Sequence, residues 1–280
     1  MKQITSILFI LLSSSLFAQN TAFTRSLKGV QQVTIQVNSD ITIVAKSSGN
    51  SLSIRNATKA DCETQVEDCT YPTRTFFSHH TKKHDSLKVV KAKGLVPIYP
   101  DGKDETNGFG FKIEQKGTGL LVKDLKSRLQ GKPVVIELPQ NMMISVKSRS
   151  NSAVSLRGFS SEISVQCPHG NIKLSAITGP VTAYTSIGNI TVDFSMLNQA
   201  SPTSLSTVGG EIDVTLPKNS NADLSVETRG MVYSDLNLKE KKNSKTPKNT
   251  HSRKILRAMN NGGVAINIKS SLGNVYLRKK

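Results

Sequence analysis

Tryptophan is absent from the 280 residues, and phenylalanine and tyrosine number only 9 and 5. That is thin material for sugar-stacking platforms or for gripping single-stranded nucleic acid, both of which depend on aromatic faces. No nucleic-acid partner is expected. Cysteine occurs 3 times, too rarely for a disulfide framework, and a chain this long buries enough apolar surface to fold without one. Acids are scarce, 20 Asp and Glu against 37 Lys and Arg, for a formal charge of +17. For a chain outside the cytoplasm, such a charge attracts anionic lipid head groups, lipopolysaccharide phosphates, teichoic acids or acidic polysaccharides. Long apolar runs are missing too. The stretch from Ile7 to Leu12 is too short to span a bilayer, and no transmembrane helix is expected.

That stretch has another reading. Met1 and Lys2 precede it and Ser13 to Ala18 follow, which is the order of a secretory signal: charged start, apolar centre, small-residue cleavage site. The sequence predicts a signal over 1–18, cut between Ala18 and Gln19, and a mature domain over 19–280 with 36 cations and 20 acids. It predicts export to the periplasm or cell surface. No cysteine follows the cleavage site to carry a lipid anchor.

Period-two alternation runs from Val33 onward, and helical periodicity is almost absent. The units are apolar, small polar, apolar: Val33-Thr34-Ile35, Ile41-Thr42-Ile43 and Leu52-Ser53-Ile54 early, then Ile144-Ser145-Val146, Val154-Ser155-Leu156, Ile163-Ser164-Val165, Ile172-Lys173-Leu174, Val181-Thr182-Ala183 and Ile190-Thr191-Val192. The later units follow one another every nine or ten residues. Turn residues stand just ahead of several, as in Gly170-Asn171, Gly179-Pro180, Gly188-Asn189, Gly210-Glu211 and Gly273-Asn274. Glycine reaches positive φ without strain, so this spacing predicts sharp turns between very short strands. A unit so short cannot bury its own apolar face, whereas stacked units line one continuous interior. The expected fold is all-β, a single β-solenoid (β-helix) with about two strand-and-turn units per coil. A β-sandwich is the alternative, since strands at this spacing also build that architecture.

Residues 56–130 break the rhythm and read as an insert of loops and longer strands. A second interruption, 239–257, carries Lys239, Lys241, Lys242, Lys245, Lys248, Arg253, Lys254 and Arg257 against the single acid Glu240. It reads as a solvated loop and as the candidate site for an anionic ligand.

The stretch from Leu138-Pro139 to Leu277, with its serial Gly-x-Ile/Val units, second Leu216-Pro217 and closing Gly262-Gly263 strand, resembles the adhesin-type β-strand-repeat family of bacterial exported proteins (DUF4097 type, related to head-GIN adhesin domains). The resemblance implies a right-handed solenoid, an exported location and an adhesive or scaffold role. It supplies no catalytic residues.

Tests for chemistry are brief. Cys62 and Cys69 enclose a short polar loop and form the candidate disulfide, while Cys167, in an alternating strand, reads as an inert buried thiol. Glu211 and Asp213 alternate on one strand as an acid pair would, but the outward positions on neighbouring repeats, read as Lys173, Thr182 and Thr191, build no acidic cluster. Calcium-binding solenoids need Asp in each turn, where this chain has Asn171, Pro180 and Asn189. His79, His80 and His84 lack the helix and the Glu of a zinc site and read as exposed. Neither a phosphate loop nor a nucleophile elbow is present. The expectation is a non-enzymatic binding, adhesion or scaffold surface at the bacterial cell envelope, with no cofactor or metal. Its partner would be an anionic envelope component, a polysaccharide or an envelope protein. The alternatives are a polysaccharide-acting β-helix enzyme, lyase or hydrolase, and a regulatory envelope protein.

Overall fold

The computed structural model describes residues 22–58, 61, 94–127, 130, 133–149, 151–240 and 253–280. The signal, the Cys62 and Cys69 pair, the histidine cluster and most of the lysines of 239–257 lie outside these residues. All elements are strands: β1 (Ala22–Ser26), β2 (Gln32–Val37), β3 (Ile41–Lys46), β4 (Ser51–Asn56), β5 (Phe111–Lys116), β6 (Gly119–Asp124), β7 (Val134–Pro139), β8 (Met143–Ser148), β9 (Val154–Arg157), β10 (Ile163–Gln166) and β11 (Ile172–Ile177). They continue as β12 (Val181–Thr185), β13 (Ile190–Phe194), β14 (Thr203–Thr207), β15 (Ile212–Leu216), β16 (Ala222–Thr228), β17 (Val232–Ser234), β18 (Leu238–Glu240), β19 (Arg253–Met259), β20 (Val264–Ser270) and β21 (Val275–Lys279).

The strands make two mixed sheets and no closed barrel. The first runs β1-β4-β7-β3-β9-β11-β13-β15-β21-β17, the second β18-β19-β16-β20-β14-β12-β10-β8-β2-β6-β5. From β8 to β15 the chain alternates between them, so each coil gives one strand to each sheet. Ile172 pairs in parallel with Val154 before it and Ile190 after it, each 18 positions away. One coil is therefore two of the nine-residue units. Parallel in-register stacking excludes a Greek-key sandwich, whose neighbouring strands run antiparallel. The architecture is solenoid-like, and the apolar positions of every triplet fill one core between the sheets.

Spatial order departs from chain order at both ends. Coil β2–β3 lies between β6–β7 and β8–β9, although β7 leads straight into β8. Likewise the last coil, β20–β21, lies between β14–β15 and β16–β17. Antiparallel strands cover the ends: β5 on β6, β4 and then β1 on β7, β19 and then β18 on β16. Residues 111–124 of the interval read as an insert are thus strands of the stack. The sequence could not place this hairpin in the stack, because β2, the partner of β6, lies far off along the chain.

The turn glycines have a different reason from the one expected. Gly170 and Gly188 do have positive φ, at 148° and 151°, but Gly179, Gly210 and Gly273 do not. What they share is close stacking. A Cβ on Gly188 would strike the Gly170 carbonyl of the coil before, one on Gly210 the Gly188 carbonyl, and one on Gly273 the Gly210 carbonyl, all well inside 3.0 Å. These three carbonyls and that of Gly273 accept hydrogen bonds from a buried hydroxyl column: Thr185 Oγ1 to Gly170 at 3.1 Å, Thr207 Oγ1 to Gly188 at 3.0 Å, Ser270 Oγ to Gly210 at 2.8 Å and Thr228 Oγ1 to Gly273 at 2.7 Å.

Candidate functional site

Two acidic positions singled out from the sequence, Glu211 and Asp213, are both engaged. Glu211 Oε1 accepts from Tyr276 Oη at 3.1 Å and Asn274 Nδ2 at 3.2 Å. Asp213 accepts from Arg278 Nε through both oxygens, at 2.8 and 2.9 Å, and Arg278 in turn lies over the Tyr276 ring. The outward column through Asp213 is Lys173, Thr191, Asp213, Tyr276 and Tyr233. Thr182 belongs to the other sheet, in a column with Ser164 and Ser204. Its inclusion beside Asp213 is corrected: consecutive nine-residue units fall on opposite sheets, and only alternate units are neighbours.

The sequence missed the aromatic pair in this column. Tyr233 and Tyr276 stack with centroids 5.4 Å apart and planes 11° from parallel. Both stand three residues after a turn glycine, in Gly230-Met231-Val232-Tyr233 and Gly273-Asn274-Val275-Tyr276. That shared offset was the available signal.

Asn171 and Asn189 also acquire a role. Asn171 Oδ1 accepts the Asn189 N–H at 2.9 Å, Asn189 Oδ1 the Glu211 N–H at 2.9 Å, and Asn274 Oδ1 the Met231 N–H at 3.0 Å. An amide at the turn ties each coil to the next, which is structural work rather than calcium ligation. Among the described residues no group of three or more His, Cys, Asp or Glu is placed to hold a metal.

Cys167 is fully buried. It occupies the buried hydroxyl column of the second sheet, aligned with Thr185, and its Sγ contacts the Ser152 carbonyl at 2.9 Å. Burial pushes the thiol up from its ordinary value, so the thiolate that reactivity needs is disfavoured.

A cleft at the N-terminal end is lined in part by Asn38, Tyr99, Phe109 and Lys126. Its buried ammonium is spoken for. Lys126 Nζ donates to Asp124 Oδ1 at 2.8 Å and to the Phe109 and Gly110 carbonyls, and sits 3.9 Å from the Phe111 ring centroid. A lysine has three protons to donate, and each has an acceptor. This arrangement locks the cap rather than offering a free cation.

The basic segment 239–257, expected as a loop, contains strand residues at both ends. Lys239 lies in β18, and Arg253, Lys254 and Arg257 lie in β19. Lys239 and Lys254 are exposed at register positions on the outer face of the second sheet, opposite Ala258 and Glu227. Arg257 is different. Going along the inner face, Ile163 pairs with Val181, Thr203 with Ile266, Ile266 with Leu224, and Leu224 with Arg257. A buried column of the core thus ends in an arginine, half-buried and 3.2 Å from Glu240 Oε1. Arg253 occupies the equivalent end position of the hydroxyl column, opposite Thr228. Lys241, Lys242, Lys245 and Lys248 lie outside the described residues.

The fold and these sites define a parallel-coil β scaffold with an elaborated, basic end. The chain belongs to the Toastrack DUF4097 family, whose model matches residues 122–278. That match begins within β6, ahead of the Leu138-Pro139 opening from which the resemblance was drawn. No curated protein matches the chain. Similar solved structures include a "putative cell adhesion protein" from Clostridium sporogenes, 11% identical over 92% of this chain and 99% of that one, TM-score 0.43. A "putative adhesin" from Bacteroides fragilis is also 11% identical, over 93% of this chain and 98% of that one, TM-score 0.41. These two likenesses carry no functional argument. No helix among the described residues is long and apolar enough to cross a membrane.

Proposed function

We propose that this protein is a non-enzymatic exported scaffold, a single right-handed solenoid over 19–280. In this reading it presents the basic hairpin β18–β19 to an anionic component of the bacterial cell envelope, in adhesion or a related binding role. The feature that supports the reading is the basic run 239–257, eight cations against one acid. Its described members lie on the last two strands of the second sheet, where Arg257 closes a column of the core. Charge clustered this way attracts polyanions over roughly a Debye length, about 10 Å at 0.1 M salt. The enzymatic alternative is weaker, because Glu211 and Asp213, its best acids, are occupied by Tyr276, Asn274 and Arg278.

The test is binding of the mature chain to heparin and to isolated bacterial envelopes at 20 and 300 mM salt. Binding should be strong at low salt and fall steeply at high salt. Replacing Lys241, Lys242, Lys245 and Lys248 by glutamine should weaken it about tenfold or more. Binding that is absent at low salt, or indifferent to these four substitutions, overturns the reading.

A further inference from the structure

The two sheets do not end together. Past the coil β16–β17, the second sheet continues through β19 and β18, whereas the first stops at β17. The second sheet therefore overhangs by two strands. β17 is hydrogen-bonded to β21 on one side and to no described strand on the other. Val275 N–H donates to the Met231 carbonyl and Asp235 N–H to the Leu277 carbonyl. In a strand these groups alternate in direction, so Met231, Tyr233 and Asp235 face β21, and the N–H and C=O of Val232 and Ser234 face the open edge. Across from that edge, the inner positions of β19 present half-buried Ile255 and Arg257, with half-buried Leu238 on β18 and half-buried Val232 on β17 itself.

We propose that this step is a strand-addition site for an extended acidic peptide of a partner protein, which pairs with β17 as the next strand of the first sheet. Backbone pairing would supply the affinity and the alternating side chains the choice of ligand. An added strand puts every second side chain inward, so an apolar residue meets Ile255 and an acidic one two positions on meets Arg257. Arg257 already takes the Glu240 carboxylate, whose side chain is 84% exposed and displaceable. The chain's own 241–252 does not fit: it is Lys-Lys-Asn-Ser-Lys-Thr-Pro-Lys-Asn-Thr-His-Ser, without one acid or aliphatic side chain. The inference rests on the hairpin being the binding element and narrows its ligand from any polyanion to an acidic strand.

The experiment is fluorescence anisotropy on the mature chain with a labelled seven-residue peptide, Thr-Val-Thr-Glu-Thr-Val-Thr, whose valines and glutamate share one face. The probe is compared with the same peptide N-methylated on alternate residues along its pairing edge, and with heparin. Ser234→Pro removes an outward N–H while leaving the β21 ladder intact, and Ser234→Ala controls for the hydroxyl that accepts the Leu236 N–H. The peptide should bind about fivefold more weakly to Ser234→Pro and about tenfold more weakly to Arg257→Gln, the sizes expected for one backbone and one charge-assisted hydrogen bond. It should bind Ser234→Ala unchanged, and the N-methylated peptide should not bind. Heparin should bind Ser234→Pro as it binds the unaltered chain. If both peptides bind alike, or heparin competes while Ser234→Pro has no effect, strand addition is overturned and polyanion binding survives. If neither peptide nor heparin binds, both readings fall. A dimer that Ser234→Pro converts to monomer would assign the edge to a second copy and also overturn the proposal. The N-methylated probe decides the matter even if Ser234→Pro fails to fold.

Discussion

Cys167 shows how a residue's neighbours along the stack explain it better than its neighbours along the chain. Thr185, Thr207, Ser270 and Thr228 each cap a glycine carbonyl of an adjoining coil, and Cys167 does the same for Ser152 with a weaker donor. Cys167→Ser should therefore keep stability within about 1 kcal/mol. Cys167→Val, which removes the thiol's contact with that carbonyl, should cost about 1–3 kcal/mol. Urea unfolding of both variants checks this. Gly188→Ala should cost more than Cys167→Ser, about 3 kcal/mol, because the Gly170 carbonyl occupies the place of the new methyl group and φ is already positive.

The carboxylates of the N-terminal cap set a pH limit. Asp61 lies well below the ordinary carboxylate range, chiefly through hydrogen bonds from Arg55 and then Thr58. Burial acts to raise Glu137 and Asp104, but is outweighed in Glu137 by Arg55, Ser53 and Lys46, and in Asp104 by Thr106, Gly108 and Phe111, so both are also lowered. A lowered folded pKa means that stability is complete above the unfolded value and is lost as pH falls through the folded one. Melting temperature should thus hold at pH 5 and above, and drop below about pH 4 as these groups take up protons. Asp61→Asn should lower the pH 5 plateau and flatten the drop. An Asp61→Asn profile that superposes on that of the unaltered chain would remove the Arg55 pair from this account.

Among elements, the hairpin β18–β19 and the terminal coil β20–β21 differ most in how they are held. β20 is paired on both sides, with β14 and β16, and β21 with β15 and β17. Among the described strands β18 pairs only with β19, over three residue pairs. Hydrogen exchange should therefore rank β20 and β21, though last in the chain, among the most protected strands, and β18 among the least. The reverse ranking would contradict the strand order. The nine-residue units made β8 to β15 legible because each triplet pairs with the next but one. They could not reveal that the hairpin β5–β6 joins the stack, because its pairing with β2 follows no local spacing. The hairpin was half legible: the cation count was plain, but the strand character of Arg253 to Arg257 depends on β16 lying alongside.

At the scale of the molecule, inserting both terminal coils changes how the solenoid should unfold. A sequentially stacked repeat protein frays from its ends, since each repeat contacts only its neighbours. Here the strands that close the stack come from inside the sequence, so the outermost coil, β16–β17, cannot settle until the last residues have arrived between it and β14–β15. Ending the chain after Asn260 should cost far more than one coil's contacts. We expect loss of the single cooperative transition in urea, measured by circular dichroism, rather than a modest shift of its midpoint. A truncated chain that unfolds cooperatively near the original midpoint would show that the insertion carries no such weight.

Alternation, glycine spacing and charge are local properties, and they determined that this chain is all-β, that its units repeat every nine residues or so, that these units stack, and that its cations cluster in 239–257. Three matters needed the third dimension: which units are neighbours, why the glycines are glycines, and what the cations face. The physical reason is the same in each case. Strand pairing, carbonyl-to-Cβ clearance and the end of a core column are relations between residues 18 to about 110 positions apart, as Ile172 with Ile190 or Ile144 with Val33. Period-two patterning records which way a side chain points and leaves open which strand lies next to it.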